Sequence, residues 1–473
     1  MEREGSALDG FGGRAAGVIG VVGAGTMGAG IAQLACRAGA RTLLHDPIPE
    51  ALARGAQNVQ AGLQKEAAKG KLTAEQAQEA LERLEPIDGL EQLAPCELVI
   101  EAAPERLDVK HELYARLSEI VSEQCVLASN TSSLPITAVA AGATHHERVV
   151  GMHFFNPAPL MRLLEVIAGL LSSEQALALA DATGLAMGKD VIRAADVPGF
   201  IVNRCNRPFG LEALRLLQER VADVKTIDRI VRLGGGFRMG PFELSDLVGV
   251  DTGFDVSKSF YELGFGEPRW RPSPIQARQV AAGLHGRKTG RGYYDYSGEG
   301  PYRPADPDPP PSTADAIVTG SGPVADALRA LASGQSGPEI VVEGLGGTVD
   351  DEPFYALVPL ALVEVTGEAG EQAFRGLGLH TERVQPAPAG VLSRIVCQVI
   401  NESAFALGEG VGSADDIDTG MMLGLSHPRG PFAWMREIGP GQVLKTLEAL
   451  GDRYREERYR PAPALRRLAN EAR

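Results

Sequence analysis

No run of about 18 apolar residues, the length that spans a bilayer, occurs anywhere in the 473-residue sequence. Its first fourteen residues, Met1 to Arg14, mix charges with glycine and lack the apolar core of an export signal. Neither membrane insertion nor secretion is supported, and a cytoplasmic protein is expected. Surplus positive charge is also missing. With 46 Lys and Arg against 61 Asp and Glu the formal charge is -15, so no basic field exists to displace counterions from a nucleic-acid backbone. Any anionic coenzyme must be met by local groups. The five cysteines, Cys36, Cys96, Cys125, Cys205 and Cys397, are odd in number and show no paired metal-type spacing. They read as free thiols in a reducing compartment, with no metal site. What is present is a globular composition, 44% hydrophobic and 23% charged, in a chain long enough for more than two domains.

An apolar run, Val18 to Val22, meets a glycine cluster and then a segment with helical spacing at Ile31, Leu34, Ala35 and Ala38. That predicts strand, turn and helix. Gly39 closes the helix, Arg41 to His45 reads as a second strand, and the Ala/Glu/Gln/Lys-rich stretch from Ala51 to Leu84 reads as helices. Strands at Leu98 to Ile100 and Cys125 to Ala128 flank a charged helix from Leu107 to Val121. Such alternation builds an open, mostly parallel sheet covered by helices. The pattern turns helical from Val197, and a Pro/Asp run from Pro301 to Pro311 predicts an extended linker.

The second half contains a repeat. Pro198-Gly199-Phe200-Ile201-Val202-Asn203-Arg204 lines up with Pro388-Ala389-Gly390-Val391-Leu392-Ser393-Arg394, and Met239-Gly240-Pro241-Phe242 with Arg429-Gly430-Pro431-Phe432. Both offsets are 190 (388 − 198 and 430 − 240), and Ile227-Asp228 maps onto Ile417-Asp418 at the same offset. Arg269-Trp270-Arg271-Pro272 recurs as Arg458-Tyr459-Arg460-Pro461, one residue out of step. The helical domain is therefore read as duplicated. Between the copies, Ala314 to Ala325 resembles a degenerate strand, glycine turn and helix start, too short a segment for a complete dinucleotide domain. The expected fold is α/β: a doubly wound Rossmann-type domain, then two homologous all-α domains joined by a small degenerate α/β segment. The expected divisions are a flexible tail at 1–16, a dinucleotide domain at 17–196, a helical domain at 197–298, linker and remnant at 299–386, and the second helical copy at 387–473.

Gly23-Ala24-Gly25-Thr26-Met27-Gly28 fits G-x-G-x-x-G between a predicted strand and helix, as the dinucleotide fingerprint requires. Gly23 permits the tight turn, Gly25 leaves room for a pyrophosphate, and Gly28 lets helix and strand pack closely. The helix amino end, with Thr26 and Met27 in its first turn, offers free N–H groups and a positive dipole to phosphate. Asp46, 21 positions beyond Gly25 (46 − 25), stands where a carboxylate accepts hydrogen bonds from the adenosine ribose and repels a 2′-phosphate. NAD is favoured over NADP.

Four further segments place polar residues in apolar surroundings: Ala128 to Leu134, Gly151 to Pro157, Leu163 to Ile167, and Pro198 to Arg204. With the glycine turn, they closely resemble the 3-hydroxyacyl-CoA dehydrogenase family from about Val18 to Tyr296, and in diluted form to the end of the chain. Chemistry read from the residues agrees. Oxidising a secondary alcohol needs a base near neutral pH, and His153 suits it. Glu165, in an apolar strand, would fix the imidazole tautomer, and Ser132 and Asn203 would hydrogen-bond the substrate oxygen. The resemblance implies the same four roles, a substrate of the (S)-3-hydroxyacyl-CoA class, Glu105, Lys110 and Asn130 beside the nicotinamide ribose, and the basic helix around Lys65 near the coenzyme A phosphates.

Alternatives stand beside each residue. His145, His146 and His153 lie within nine positions; Ser132 also fits a helix cap, Asn203 a helix face and Lys65 a solvated surface. A non-catalytic relative with a binding role, or a dehydrogenase of a free hydroxy acid or sugar acid, would share the pattern. Acyl-chain preference is not readable: short chains and a dicarboxyl group such as 3-hydroxyadipyl-CoA both fit. The second copy has Ser393 in place of Asn203, and no strand bearing the His or Glu is expected before it, so it should lack an active site. Single-copy members of the resembled family pair through this domain. The chain is accordingly expected to be a homo-oligomer, or a monomer whose two helical copies form an internal pseudo-dimer.

Overall fold

A computed structural model describes residues 14–472; most of the expected flexible tail, residues 1–13, lies outside them. Two compact units meet in sequence between Ile201 and Val202. In the first, β1 (Val18–Val22), α1 (Thr26–Arg37), β2 (Arg41–His45), α2 (Pro49–Ala68), α3 (Ala74–Glu82), β3 (Leu84–Ile87), β4 (Leu98–Glu101), α4 (Leu107–Ile120) and β5 (Val126–Ser129) follow as strand and helix alternate. Then come α5 (Ile136–Ala140), β6 (Val149–Phe154), β7 (Leu163–Ala168), α6 (Glu174–Ala186) and β8 (Asp190–Ala195). The sheet order is β3-β2-β1-β4-β5-β6-β7-β8. The first six strands are parallel, β7 runs antiparallel to β6, and β8 is parallel to β7.

This order follows from the apolar patterning. β4 and β5 are buried along their whole length, as strands covered on both faces must be. The stretch expected to be helical from Ala51 breaks after α2, where Gly70 takes φ +69° and Thr73 opens α3 by capping Gln76 N at 3.1 Å. Leu84 consequently leaves the helix and begins β3.

The second unit opens with α7 (Val202–Cys205), α8 (Arg207–Gln218), α9 (Val224–Arg229), α10 (Pro241–Val248), α11 (Val250–Leu263) and α12 (Pro274–Ala281). A six-stranded sheet follows, built from β9 (Ile317–Ser321), α13 (Pro323–Leu331), β10 (Glu339–Glu343), β11 (Gly346–Val349), β12 (Glu352–Ala356), β13 (Leu362–Val365), α14 (Glu368–Gly376) and β14 (His380–Arg383). The chain ends in α15 (Leu392–Gly408), α16 (Ala414–Leu425), α17 (Pro431–Ile438), α18 (Pro440–Tyr454) and α19 (Pro463–Glu471).

The repeated Ile-Asp and Gly-Pro-Phe segments have a common physical cause. Asp228 accepts the N–H groups of Phe242 and Glu243, both at 3.0 Å, at the start of α10. Asp418 does the same for Phe432 and Ala433, at 2.7 and 3.1 Å, at the start of α17. A side chain at Gly240 or Gly430 would collide with that aspartate, at 2.3 Å in the first copy and 2.1 Å in the second. The two copies also exchange ion pairs. Arg204 reaches Glu402 at 2.9 Å and Glu409 at 2.7 Å, while Arg394 reaches Glu212 and, at 2.7 Å, Glu219. Each partner is its counterpart's equivalent at the constant offset of 190 (394 − 204, 402 − 212, 409 − 219). Such reciprocity is what a two-fold interface produces when one surface meets its own copy.

The small sheet corrects one expectation. β12 and β13 pair antiparallel, and α14 carries the chain to β14, parallel to β13, as β6, β7, α6 and β8 do in the first unit. Leu362-Val363-Glu364-Val365 repeats Leu163-Leu164-Glu165-Val166, so a strand with the glutamate does precede the second helical copy. Its offset is 199 (364 − 165) against 190 for the helical repeats, and a search at constant spacing passes over it.

Arg394 is fully buried and Glu212 nearly so. Removing one partner of such a pair costs about 3–5 kcal/mol, because the other charges stay buried and unpaired. Arg394→Ala should therefore lower urea-unfolding stability by that amount; a loss below about 1 kcal/mol would mean that the exchanged pairs do not hold the copies together.

Candidate active site

The carboxyl edge of the first sheet gathers the polar residues. Gly23 turns the chain after β1 with φ +99°, where a Cβ would stand 2.6 Å from the Ala102 carbonyl oxygen. A Cβ on Gly28 would be 1.7 Å from the Gly23 carbonyl oxygen, whereas one on Gly25 would meet nothing within 4 Å. Packing thus fixes two glycines, and the third leaves an open cradle. α1 starts there without a side-chain cap and without an acidic residue in its first turn, which holds Thr26 and Met27. Its free N–H groups fit a pyrophosphate. Asp46 follows β2, its Oδ2 accepting from Ala24 N at 2.8 Å and its Oδ1 from Ile48 N at 2.9 Å. Those two bonds fix the carboxylate beside the glycine turn.

His153 lies near the end of β6, three strand spacings from β1 in the sheet, or about 14 Å. It is directly opposite Glu165 in the antiparallel β6–β7 pair. Nδ1 of the imidazole is 2.7 Å from Glu165 Oε2, and Nε2 is 3.0 Å from Ser132 Oγ. Both dyad residues are buried. A carboxylate facing Nδ1 favours the tautomer of the neutral ring in which Nδ1 donates to Glu165 and Nε2 keeps its lone pair. Glu165 Oε1 accepts from Ile201 N at 3.1 Å, just after Gly199 and Phe200 adopt φ +74° and +51°. Of the competing histidines, His145 is exposed between Glu123 and Glu147, and His146 is half-buried in the short turn before β6.

Glu105 organises the loop that carries Ser132. Its Oε1 accepts from Thr131 Oγ1 (2.6 Å), Ser132 N (3.0 Å), Ser133 N (3.1 Å) and Ser133 Oγ (3.0 Å). Burial alone would raise its pKa, but these bonds and the Lys110 charge outweigh it and hold the carboxyl below its usual range. The ammonium of Lys110 is buried against Glu101, at 2.7 and 2.8 Å, and stands 3.5 Å from Glu105. Glu101 also accepts from Ser129. Sequence reasoning passed over Glu101, although its signal matched that of Glu165: a carboxylate ending an apolar strand. Asn130 Oδ1 accepts from Phe154 N at 2.8 Å, tying β5 to β6. The helix-cap reading of Ser132 fails, because Asp196 takes the N–H groups of Ile136 and Thr137 at 2.8 and 2.7 Å.

Asn203 belongs to the second unit, half-buried on α7, with its carbonyl accepting from Arg207 Nε at 3.1 Å. Lys65 is exposed in the last turn of α2 and forms no ion pair among the described residues. In the small sheet, Tyr355 occupies the register position opposite Glu364. Glu364 accepts from Val391 N at 2.6 Å and Leu392 N at 2.9 Å, and burial pushes its pKa up to about 7. No imidazole stands there, so the duplicate holds a glutamate without a base.

The family model for the NAD-binding domain of 3-hydroxyacyl-CoA dehydrogenase matches residues 18–197, and that for its C-terminal domain matches 199–296 and again 391–473. A 3-hydroxyadipyl-CoA dehydrogenase of Escherichia coli K12 is 39% identical over 95% of this chain and 97% of its own length. A probable 3-hydroxybutyryl-CoA dehydrogenase of Deinococcus radiodurans is 41% identical over 59% of this chain and 99% of its own. The crystal structure of a 3-hydroxybutyryl-CoA dehydrogenase from Escherichia coli K12 matches with a TM-score of 0.84 at 37% identity, covering 97% of this chain and 99% of that one.

Asp46→Ala removes a charged acceptor worth about 1.5–3 kcal/mol when bonded to a ribose. NADH fluorescence titration should show binding weakened by roughly ten- to a hundredfold; unchanged affinity would remove Asp46 from the cofactor site.

Proposed function

The chain belongs to the 3-hydroxyacyl-CoA dehydrogenase family, and from that premise we propose that it oxidises the 3-hydroxyl of an acyl-CoA thioester to a ketone with His153 as the base. The observation that carries this reading is the Ser132–His153–Glu165 chain at the carboxyl edge of a dinucleotide-binding sheet. Gly23, Gly25 and Gly28, with the uncapped start of α1 and the oriented Asp46, fit NAD. When bound, NAD supplies the hydride acceptor.

The chain's own residues handle the proton. Nε2 of His153 takes it from the 3-hydroxyl, because Nδ1 is already engaged with Glu165. The carboxylate steadies the imidazolium that results and prevents the ring from turning. Ser132, whose backbone N–H is held by Glu105, turns its hydroxyl proton from Nε2 to the substrate oxygen as charge develops there. For Asn203, the second proposed donor, support comes from the family motif alone. Lys110, Glu105 and Asn130 support the nicotinamide side through the Glu101 pair, the Ser132 loop and β6, and exposed Lys65 is the proposed contact for coenzyme A phosphate.

We further propose that the second helical copy occupies, within one chain, the place a partner subunit would take; the exchanged Arg204 and Arg394 pairs support this. No helix among the described residues is long and apolar enough to cross a membrane. All five cysteines are buried, which is consistent with thiols kept in a reducing compartment such as the cytoplasm.

Wild-type enzyme should form NADH with 3-hydroxybutyryl-CoA and not with the free acid. His153→Gln should lower kcat by about 10²–10⁴-fold while NAD affinity stays within twofold of wild type. Equal turnover of the two enzymes would remove His153 from the chemistry.

A further inference from the structure

The duplicated helical domain separates what the fold needs from what the reaction needs. Residues that brace the fold recur at the offset of 190: Arg204 as Arg394, Glu212 as Glu402, Glu219 as Glu409, Asp228 as Asp418. Asn203, proposed above to hold the substrate oxygen, is replaced by Ser393 in the copy that has Tyr355 where a base would stand. Arg207 is lost with it. Its counterpart is Cys397, a buried thiol, and Ser257, which Arg207 Nη1 approaches at 3.4 Å, becomes Leu447. The copy without a base has thus erased this guanidinium along with its polar neighbour.

Arg207 is also unusual by charge. In the same unit Arg204, Arg232, Arg269 and Arg394 each face a carboxylate within 3.0 Å. Arg207 forms no ion pair among the described residues, although acids outnumber bases in the chain by 61 to 46. Its Nε donates to the Asn203 carbonyl at 3.1 Å, and the guanidinium stands 4.9 Å from the Phe260 ring centroid. α8, which it opens, has no acidic residue in its first turn. Surrounding protein desolvates the cation and lowers its pKa to about 10, so it remains charged at neutral pH. One helical turn, roughly 6 Å, separates it along the chain from Asn203.

We propose that Arg207 is a specificity-determining residue that pairs with the terminal carboxylate of an acyl chain, so that the enzyme prefers dicarboxyl 3-hydroxyacyl-CoA substrates over those ending in a methyl group. This rests on the reading of Asn203 as a substrate residue and adds the class of acyl group. A half-buried guanidinium opposite a carboxylate forms a directional, charge-assisted pair, whereas a methyl group leaves the cation unanswered. Discrimination arises from both.

The test compares 3-hydroxyadipyl-CoA with 3-hydroxyhexanoyl-CoA, which have the same chain length and differ in a terminal carboxylate against a methyl. Wild type should favour the adipyl compound at least tenfold in kcat/KM, mostly through KM. Arg207→Met should bring the ratio to within about threefold of one, and Arg207→Lys should keep an intermediate preference. A ratio near one in wild type overturns the inference, as does an Arg207→Met ratio equal to that of wild type, the result expected if Arg207 only steadies the Asn203 carbonyl. Turnover of the hexanoyl compound without preference leaves the dehydrogenase reading intact. Absence of turnover on either compound overturns both.

Discussion

A buried carboxylate with two obligations organises the first unit. Glu165 is completely buried, and an ionised group in that position is tolerated only when its oxygens are answered. One oxygen is hydrogen-bonded to Nδ1 of His153 and the other accepts from the backbone N–H of Ile201, where the chain passes through two consecutive left-handed residues. Register between β6 and β7 is therefore not free to slip. A shift of one residue would turn Glu165 toward the opposite face of the sheet and leave the imidazole and the turn unsatisfied together.

The second unit shows how much of this arrangement is architecture. Glu364 performs the backbone task alone, accepting from Val391 and Leu392 after Ala389 and Gly390 repeat the left-handed turn with φ +64° and +61°. The glutamate is present without a histidine, and the turn into the helical copy uses it as an acceptor. Glu165 accordingly joins two functions that the duplicate separates, support of a backbone turn and orientation of an imidazole.

Much of this was legible from periodicity and spacing. Val18 to Val22 and Arg41 to His45 form the strands expected of them, and Gly23 and Gly28 sit where the tight turn and the close helix–strand approach leave no room for a side chain. The break between α2 and α3 has local signals as well, Gly70 in a left-handed conformation and Thr73 as a cap, set within a stretch of helix-forming residues. Glu101 and Glu364 escaped for different reasons. Glu101 closes an apolar strand within no recognised motif, and its importance depends on Lys110 arriving from α4. Glu364 lies on a strand whose spacing from the repeat had drifted. The cap on α5, for which Ser132 was the alternative close in sequence, is supplied by Asp196 from 60 residues away.

The exchanged ion pairs also bear on how the chain comes to be folded. Arg204 and its acceptor Glu402 are 198 residues apart, and Arg394 lies 182 residues from Glu212. During synthesis the first helical copy therefore emerges with two carboxylates and a guanidinium whose partners have not yet been translated. Native assembly of this unit must await α15, and contacts so distant in sequence make it slow and leave an interval in which chaperones have a surface to protect.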